Sequence, residues 1–273
     1  MRMIKRALAI AVMVLTSFSA SAGLINVGGV VWDPDHVDDF YGGAGVIYQE
    51  LDLITKEISG FGRVTTLNGR DSEIMGLSPT DLCPGCELTF HFGGYTISDV
   101  DDVGNIIDAE NEYEGGWMKF WVDFTPDASD ATASLLTFAN TGDDGGTNAL
   151  WLSLVGHIME DTETTFKGIL GSVALTGQGA LDVVGGGLGG LAAGNIDTTL
   201  MPNSPLALPN GTMTDITFTS GFTKFPTTQP IPGQLVAYGT ANFSGSSIPE
   251  PGTLAVFALG LIALAIRVGN KRV

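Results

Sequence analysis

Short segments in which apolar and polar residues alternate constrain the fold of this chain more than any other feature. In residues 87–92 the apolar side chains Leu88, Phe90 and Phe92 fall on one face and the polar side chains on the other. Residues 118–124 repeat the pattern. A period of two is typical of half-buried strands in antiparallel sheets, because successive side chains of a strand point to opposite faces. We therefore expect both segments to be antiparallel strands.

Turn residues divide the rest of the chain into segments of similar length. The 273 residues include 38 glycines and 12 prolines, and Asn68-Gly69, Gly93-Gly94 and the run 140–146 predict turns. Further strand candidates are 45–49, 56–67, 135–139, 150–158, 169–175, 214–222 and 235–243. About ten short strands without a long helical period predict an all-β fold. We expect an antiparallel, jelly-roll-like β-sandwich body in residues 23–247.

The charge of the chain is strongly negative. Asp and Glu number 30 against 12 Lys and Arg, which gives a formal charge of −18. Half of the basic residues lie at the two ends of the chain, so the body keeps 29 acidic and 6 basic residues, a charge of about −23. This balance excludes nucleic-acid binding, since affinity for phosphates comes from clustered Lys and Arg. The body is expected to attract cations.

The first 22 residues have the order of a secretory signal peptide. Basic residues at positions 2, 5 and 6 precede the apolar run 7–15, and small residues at 20–22 end the segment. We expect a signal helix that is cleaved after Ala22. An N-terminal membrane anchor is the alternative, but the apolar run is shorter than the ~20 residues that span a bilayer.

The last segment, 248–273, combines three features in a fixed order. Pro249-Glu250-Pro251 is followed by an apolar run at 254–266 and then by a basic cluster at 267–272. We expect a short C-terminal transmembrane helix, because the run has no polar face and the prolines prevent a longer helix. Basic residues after an apolar segment stay in the cytoplasm, which places the body outside the membrane.

This order of Pro-Glu-Pro, apolar helix and basic cluster resembles the PEP-CTERM sorting signal of exported bacterial proteins. The resemblance covers only the end of the chain. It implies a Gram-negative host and an exosortase, a membrane protease-transferase, that recognises Pro249, Glu250 and Pro251. It also implies transient anchoring in the inner membrane and delivery of the body to the cell surface, where such proteins often accompany exopolysaccharide.

The body resembles a type that recurs among PEP-CTERM proteins. The resemblance rests on residues 60–69 and 81–90 and on the later stretches 186–188 and 193–198. We know of no established biochemical activity for that body type. The resemblance therefore implies class and location only.

The sequence Cys83-Pro84-Gly85-Cys86 allows three interpretations: a redox pair, half of a metal site or a structural disulfide. Pro and Gly at the central positions suit a type II turn that brings the thiols together. A redox motif is expected at the start of a helix, whereas an alternating strand follows here. A zinc site made from Cys83, Cys86 and His91 lacks a fourth ligand with suitable spacing. For an exported protein we expect a structural disulfide between Cys83 and Cys86.

The densest acidic segment, 99–110, partly matches a twelve-residue calcium loop. Acidic residues stand at positions 1, 3 and 12 of such a loop, and glycine stands at position 6. However, Val103 occupies position 5, where an oxygen ligand is required, and strands rather than helices flank the segment. A solvated acidic loop is therefore the favoured interpretation, and a calcium loop that joins two strands is the alternative. The candidate calcium ligands are Asp99, Asp101, Asn105 and Glu110.

No catalytic motif is recognisable in the sequence. The chain has three histidines and no G-x-S-x-G sequence, and a GxGxxG match at 185–190 lies in a glycine-rich run without a surrounding βαβ unit. We expect a non-enzymatic cell-surface or matrix protein with a structural or adhesive role, an exosortase and exopolysaccharide as partners, and no cofactor beyond the candidate calcium. The alternatives are a calcium-assisted carbohydrate-binding module, with Trp117 and Trp121 as a stacking platform, and a polysaccharide-active hydrolase.

Overall fold

The computed structural model describes residues 23–36, 39–71, 81–98, 110–128, 137–160, 163–170, 174–198, 208, 210–224 and 234–248. Leu24–Ile248 form one compact unit. Helical structure in the described part is limited to α1 (Ala193–Ile196) and a 3-10 turn at Asp144–Gly146. The strands are β1 (Ile25–Val27), β2 (Val30–Trp32), β3 (Phe40–Asp52), β4 (Glu57–Arg63), β5 (Thr66–Leu67), β6 (Arg70–Asp71), β7 (Glu87–Ile97), β8 (Glu110–Asp123), β9 (Ala149–Gly156), β10 (Thr164–Leu170), β11 (Ala174–Val183), β12 (Ile216–Lys224) and β13 (Gln234–Gly245).

Eight strands form an antiparallel sheet that closes on itself like a barrel. Their order around the sheet is β3, β4, β7, β8, β10, β11, β12 and β13. β13 then pairs with β3, from Gln234 opposite Asp52 to Gly245 opposite Phe40. Closure satisfies the backbone groups of both outermost strands, which an open sheet would leave as exposed edges. The all-β antiparallel prediction is confirmed, whereas the two facing sheets of a jelly-roll-like sandwich are not confirmed.

The strands β9 and β10 together fill one strand position. β8 pairs with β10 through residues 110–114 and with β9 through residues 117–122. On the other side β11 also pairs with both strands. All four pairings are antiparallel, so β9 and β10 run in the same direction between the same two neighbours. The number of strands around the closed sheet therefore stays at eight.

Large aromatic side chains fill the inside of the closed sheet. The ring centroid of Phe90 lies 5.3 Å from that of Phe120 and 5.7 Å from that of Phe243. Phe166 and Phe218 stack at 5.5 Å across Gly179, which pairs with both of them in the register. A Cβ atom at Gly179 would clash with Phe218, so this position requires glycine. Part of the high glycine content thus makes room for interior rings.

The hairpin of β1 and β2 covers the end of the sheet at which β3 begins, here called the plugged end. Trp32 is fully buried there, and its ring lies 5.8 Å from that of Trp151. The indole N–H of Trp151 donates a 2.9 Å hydrogen bond to the carbonyl of Val27. The amide of Val31 donates to the carbonyl of Leu82 at 2.7 Å. These bonds fix the hairpin to β9 and to the segment before β7.

Two predicted helices, the signal helix and the C-terminal transmembrane helix, lie outside the described residues. Among the residues that are described, we find no helix with the length and apolar character needed to cross a membrane. The predicted boundaries at residues 22 and 248 therefore remain predictions.

Replacing Phe90 by Ala tests whether the interior rings hold the closed sheet together. Phe90 is completely buried, so we expect the free energy of unfolding to fall by about 3–5 kcal/mol, measured by chemical denaturation. The matched control is Phe124→Ala, because Phe124 is 61% exposed, and we expect a change below about 1 kcal/mol. Equal losses in the two variants would contradict the assignment of Phe90 to the core.

Candidate functional site

Most site residues predicted from the sequence fall outside the described part of the chain. Glu110 is the first residue of β8, and only its backbone is described. The hypothesis of a calcium loop at 99–110 therefore stays a prediction. The predicted site residues that lie outside the described part of the chain are the cleavage position Ala22, the sorting residues Pro249, Glu250 and Pro251, and the calcium candidates Asp99, Asp101 and Asn105.

A disulfide bond joins Cys83 and Cys86 just before β7. Their Cα atoms lie 5.1 Å apart, and the amide of Cys86 donates to the carbonyl of Cys83 at 3.0 Å, as in a tight turn. Gly85 has a φ of 76°, which such a turn requires and which glycine adopts without strain. Both cysteines are buried. Because the chain has no other cysteine, no thiol remains to bind zinc together with His91.

Alkylation tests this disulfide. Without reductant, iodoacetamide is expected to label neither Cys83 nor Cys86 of the exported protein, and reduction in denaturant should expose two thiols per chain, counted by mass spectrometry. The variant Ile54→Cys is the positive control, since Ile54 is 82% exposed and a thiol at that position is expected to react under native conditions. Labelling of both native cysteines before reduction would show that the bond is not formed.

Three carboxylates, here called the carboxylate cluster, meet where β7 begins and β8 ends. Glu87 lies directly opposite Asp123 in the register, and Asp127 follows in the loop after β8. One oxygen of each carboxylate lies within 4.8 Å of those of the other two. Glu87 and Asp123 are only 3% and 4% exposed, whereas Asp127 is exposed. The cluster therefore lies on the outer face of the sheet, near its plugged end and against the loop after β8.

The loop after β8 holds the two buried carboxylates in place. Oε1 of Glu87 accepts hydrogen bonds from the amides of Asp127 and Ala128, both at 3.0 Å. Oδ1 of Asp123 accepts from the amide and the hydroxyl of Thr125, at 2.7 and 2.8 Å. The other oxygen of Glu87, Oε2, is buried and accepts no hydrogen bond. A buried carboxylate oxygen without a donor is costly unless a proton or a cation meets it.

One basic side chain, Arg63 of β4, lies beside the carboxylate cluster. Its Nη1 is 4.0 Å from Oε2 of Glu87 and donates to the carbonyl of Ala128 at 2.8 Å. Burial raises the pKa of Glu87 above its usual value, and the nearby Asp123 adds to this rise. The two loop amides and Arg63 act in the opposite direction and lower the pKa. Burial also lowers the pKa of Arg63, against the effect of Glu87. Three carboxylates thus face a single guanidinium.

The chemistry of the carboxylate cluster suits a small cation or a proton rather than a polymer. Retaining glycoside hydrolases place two carboxyl groups ~5 Å apart, and Glu87 and Asp123 are close to that separation. Both side chains are nevertheless almost completely buried, so a sugar ring cannot lie between them. This burial disfavours the hydrolase alternative at the cluster.

A row of aromatic residues crosses the outer face of the sheet. Tyr238, Tyr48, Phe61 and His91 are successive partners in the register of β13, β3, β4 and β7. Tyr48 and Phe61 stack at 4.8 Å, and His91 meets Phe61 edge to face at 6.2 Å. The row faces outward because alternate residues of these strands point into the core.

The segment before β9 covers His91 at the end of this row. Phe138 stacks on the imidazole ring at 4.1 Å, and Nε2 lies 2.9 Å from the hydroxyl of Thr141. His91 is therefore 7% exposed, although its strand pattern predicts an exposed residue, and burial lowers its pKa. Phe138 itself is 67% exposed. An open depression of about 500 Å³ lies here and is lined by His91, Phe138, Ala139, Thr141, Asp143 and Gly145.

The two tryptophans considered for a stacking platform differ in exposure, although both lie on the Lys119 face of β8. Trp117 is 37% exposed, its ring lies against Gly94, and the Lys119 ammonium is 5.3 Å from the ring centroid. Trp121 is 9% exposed and meets His91 edge to face at 5.3 Å. Trp121 is therefore a packing residue, and only Trp117 offers part of its surface to a ligand.

A third histidine, His157, links β11 to the turn at 210–212. Its Nδ1 lies 2.6 Å from Oδ2 of Asp182, and its Nε2 lies 2.8 Å from the hydroxyl of Thr212. Carboxylate, imidazole and hydroxyl in this order resemble a catalytic triad. However, the hydroxyl donates to the side-chain oxygen of Asn210 at 2.7 Å. The proton of the Thr212 hydroxyl is therefore directed to Asn210 and not to the imidazole, as activation of a nucleophile would require.

The described interior of the closed sheet is filled. A cavity among Phe90, Phe92 and Tyr95 holds about 30 Å³, and another near Phe40 and Leu88 holds about 20 Å³. Each is comparable with the volume of one water molecule. Any ligand larger than that has to bind on the outside of the sheet or at its ends.

Comparison with known proteins assigns a known motif to the last segment of the chain. Residues 247–272 match the PEP-CTERM protein-sorting motif, which confirms the sorting signal predicted from the sequence. No curated protein and no solved structure matches the chain. The chain thus carries a PEP-CTERM sorting motif in its last segment, and the motif supports export, transient anchoring at the membrane and processing by an exosortase.

Proposed function

We propose that this protein is a structural or adhesive component of the surface or extracellular matrix of a Gram-negative bacterium, associated there with exopolysaccharide. The observation that carries the proposal is the sorting motif at residues 247–272, which addresses the chain to an exosortase. The filled interior of the closed sheet supports a role that depends on the outer surface. The charge of the body, about −23, supports association with anionic polymers through bridging cations.

We further propose that the body is not an enzyme. Each candidate catalytic group among the described residues lacks a feature that catalysis requires. Glu87 and Asp123 are buried, and the hydroxyl beside His157 donates to Asn210. These observations support a structural protein that binds its partners without changing them chemically. Activity on the host's own exopolysaccharide, lost on Glu87→Gln, would revive the hydrolase alternative.

Replacing Pro249, Glu250 and Pro251 by Ala tests the sorting proposal in the host. We expect the variant to stay unprocessed with its carboxyl terminus in the inner-membrane fraction, because the residues that the exosortase reads are gone. Fractionation and intact mass of the product measure this. Pro202→Ala, outside the motif, is the matched control and should be delivered normally. Normal delivery of the triple variant would refute exosortase sorting through these residues.

The outer depression beside Phe138 favours a second candidate function, carbohydrate binding. An exposed aromatic ring with a carboxylate nearby is the usual chemistry of a sugar site, since the ring stacks on the sugar and the carboxylate bonds its hydroxyls. Phe138 provides the exposed ring here, and Asp143 provides the exposed carboxylate. The site differs from the predicted Trp117 and Trp121 platform, because Trp121 is buried.

Polysaccharide pull-down with Phe138→Ala tests this second function. Burying a Phe side chain contributes about 1.5–3 kcal/mol, so its removal is expected to weaken binding roughly tenfold or more. Phe124→Ala is the control of equal chemistry and similar exposure and should bind like the wild type. If Phe138→Ala keeps full affinity while Trp117→Ala loses it, the sugar site lies on β8 instead.

A further inference from the structure

We propose that Glu87, Asp123 and Asp127 bind one calcium ion on the outer face of the closed sheet, near its plugged end. The inference is independent of where the protein is delivered, since it rests on the side chains of the body. It is also distinct from the acidic segment 99–110, in which the sequence offers candidate calcium ligands.

The register of the sheet places two acidic side chains where they repel each other. Glu87 and Asp123 are direct cross-strand partners in β7 and β8, a position at which like charges destabilise a sheet. Asp127 adds a third carboxylate from the loop. A shared cation converts this repulsion into attraction, which gives a reason for three acids at one point.

The second observation is a buried oxygen that lacks a donor. Glu87 is 97% buried, its Oε1 is satisfied by two loop amides, and its Oε2 accepts no hydrogen bond. Asp123 shows the same use of one oxygen, since its Oδ1 accepts two hydrogen bonds from Thr125. The loop therefore fixes both carboxylates by one oxygen each. Oε2 of Glu87 is left without a hydrogen bond, and a bound cation would satisfy it.

The charge of the site matches a divalent cation. Arg63 is the basic residue beside the three carboxylates, and its Nη1 stands 4.0 Å from Oε2 of Glu87, at the limit of an ion pair. Three negative charges and one positive charge leave two negative charges, which one divalent cation neutralises. Arg63 donates to the carbonyl of Ala128, so it also holds the loop that carries the cluster.

The ligand chemistry favours calcium over magnesium. The three carboxylate oxygens lie within 4.8 Å of one another, which brings them within reach of one ion. Calcium accepts several protein ligands and irregular geometry, whereas magnesium keeps most of its water. The exposed Asp127 gives the ion a path from solvent.

Thermal unfolding of the full-length protein in detergent tests the site, with calcium chloride as the probe. After treatment with chelator, added calcium should raise Tm by roughly 5–10 °C at about 100 times Kd, because the ion binds the folded state only. Titration calorimetry should give one tight site, and magnesium should produce a much smaller shift. An absent calcium shift, or an equal shift with magnesium, would overturn the assignment.

Asp127→Asn is the decisive variant, because Asp127 is exposed and the substitution keeps the backbone amide that donates to Glu87. Its circular dichroism spectrum should match that of the wild type. We expect calcium affinity at this site to fall at least tenfold, and Asp123→Asn should act in the same direction. Asp143→Asn removes another exposed carboxylate and is the matched control. The pair Asp99→Asn and Asp101→Asn controls for the acidic segment. A calcium response that survives Asp127→Asn but disappears with the Asp99 and Asp101 pair would place the ion there and reject this site.

Discussion

The pairing of β3 with β13 is the interaction on which the rest of the structure depends. It joins Phe40–Asp52 near the start of the body to Gln234–Gly245 near its end, so the sheet closes only when the whole body has been placed. Closure removes both sheet edges, fixes the number of strands at eight and defines one interior. Because the contact is so distant in sequence, its formation carries a large loop-closure cost that the interior rings must offset.

A sheet closed at eight strands has an interior just wide enough for side chains, and this chain fills it with aromatic rings. Gly62 lies opposite Phe90 and Gly179 opposite Phe166 and Phe218, so glycines and rings are matched across neighbouring strands. With cavities of only 20–30 Å³ inside, the chemistry of the molecule lies on the outer face and at the plugged end. The filled interior that stabilises the body therefore restricts ligand binding to the outer face and the ends of the sheet.

Periodicity predicted the strands well but not their connections. The segment 87–92 lies inside β7, and 118–124 lies inside β8 except for Phe124, which follows the strand. Asn68-Gly69 forms the turn between β5 and β6. Gly93-Gly94 was wrong as a turn, since both residues continue β7 beneath the ring of Trp117. The segment 169–175 was wrong as one strand, because Leu170 pairs with Leu175 across a reversal. The alternation of apolar and polar residues indicates which side chains share a face of a strand. The points at which the chain reverses, and the pairing that closes the sheet, depend on partner strands elsewhere in the chain.

The carboxylate cluster was also not predictable from the alternation pattern, and it lies near the plugged end, where several other features meet. Glu87 and Asp123 both stand in strands that the sequence predicts, yet their opposition appears only once β7 and β8 are in register. The disulfide precedes β7 at this end, and closure brings the end of β13 here as well. Ser247 donates to Asp39, and the amide of Ile248 donates to the carbonyl of Asn195. The sorting motif, which begins at residue 247, therefore starts within the fold. The hairpin, the disulfide, the cation site and the first two residues of the sorting motif thus lie near one end of the sheet, so interactions that stabilise this end also hold the start of the motif.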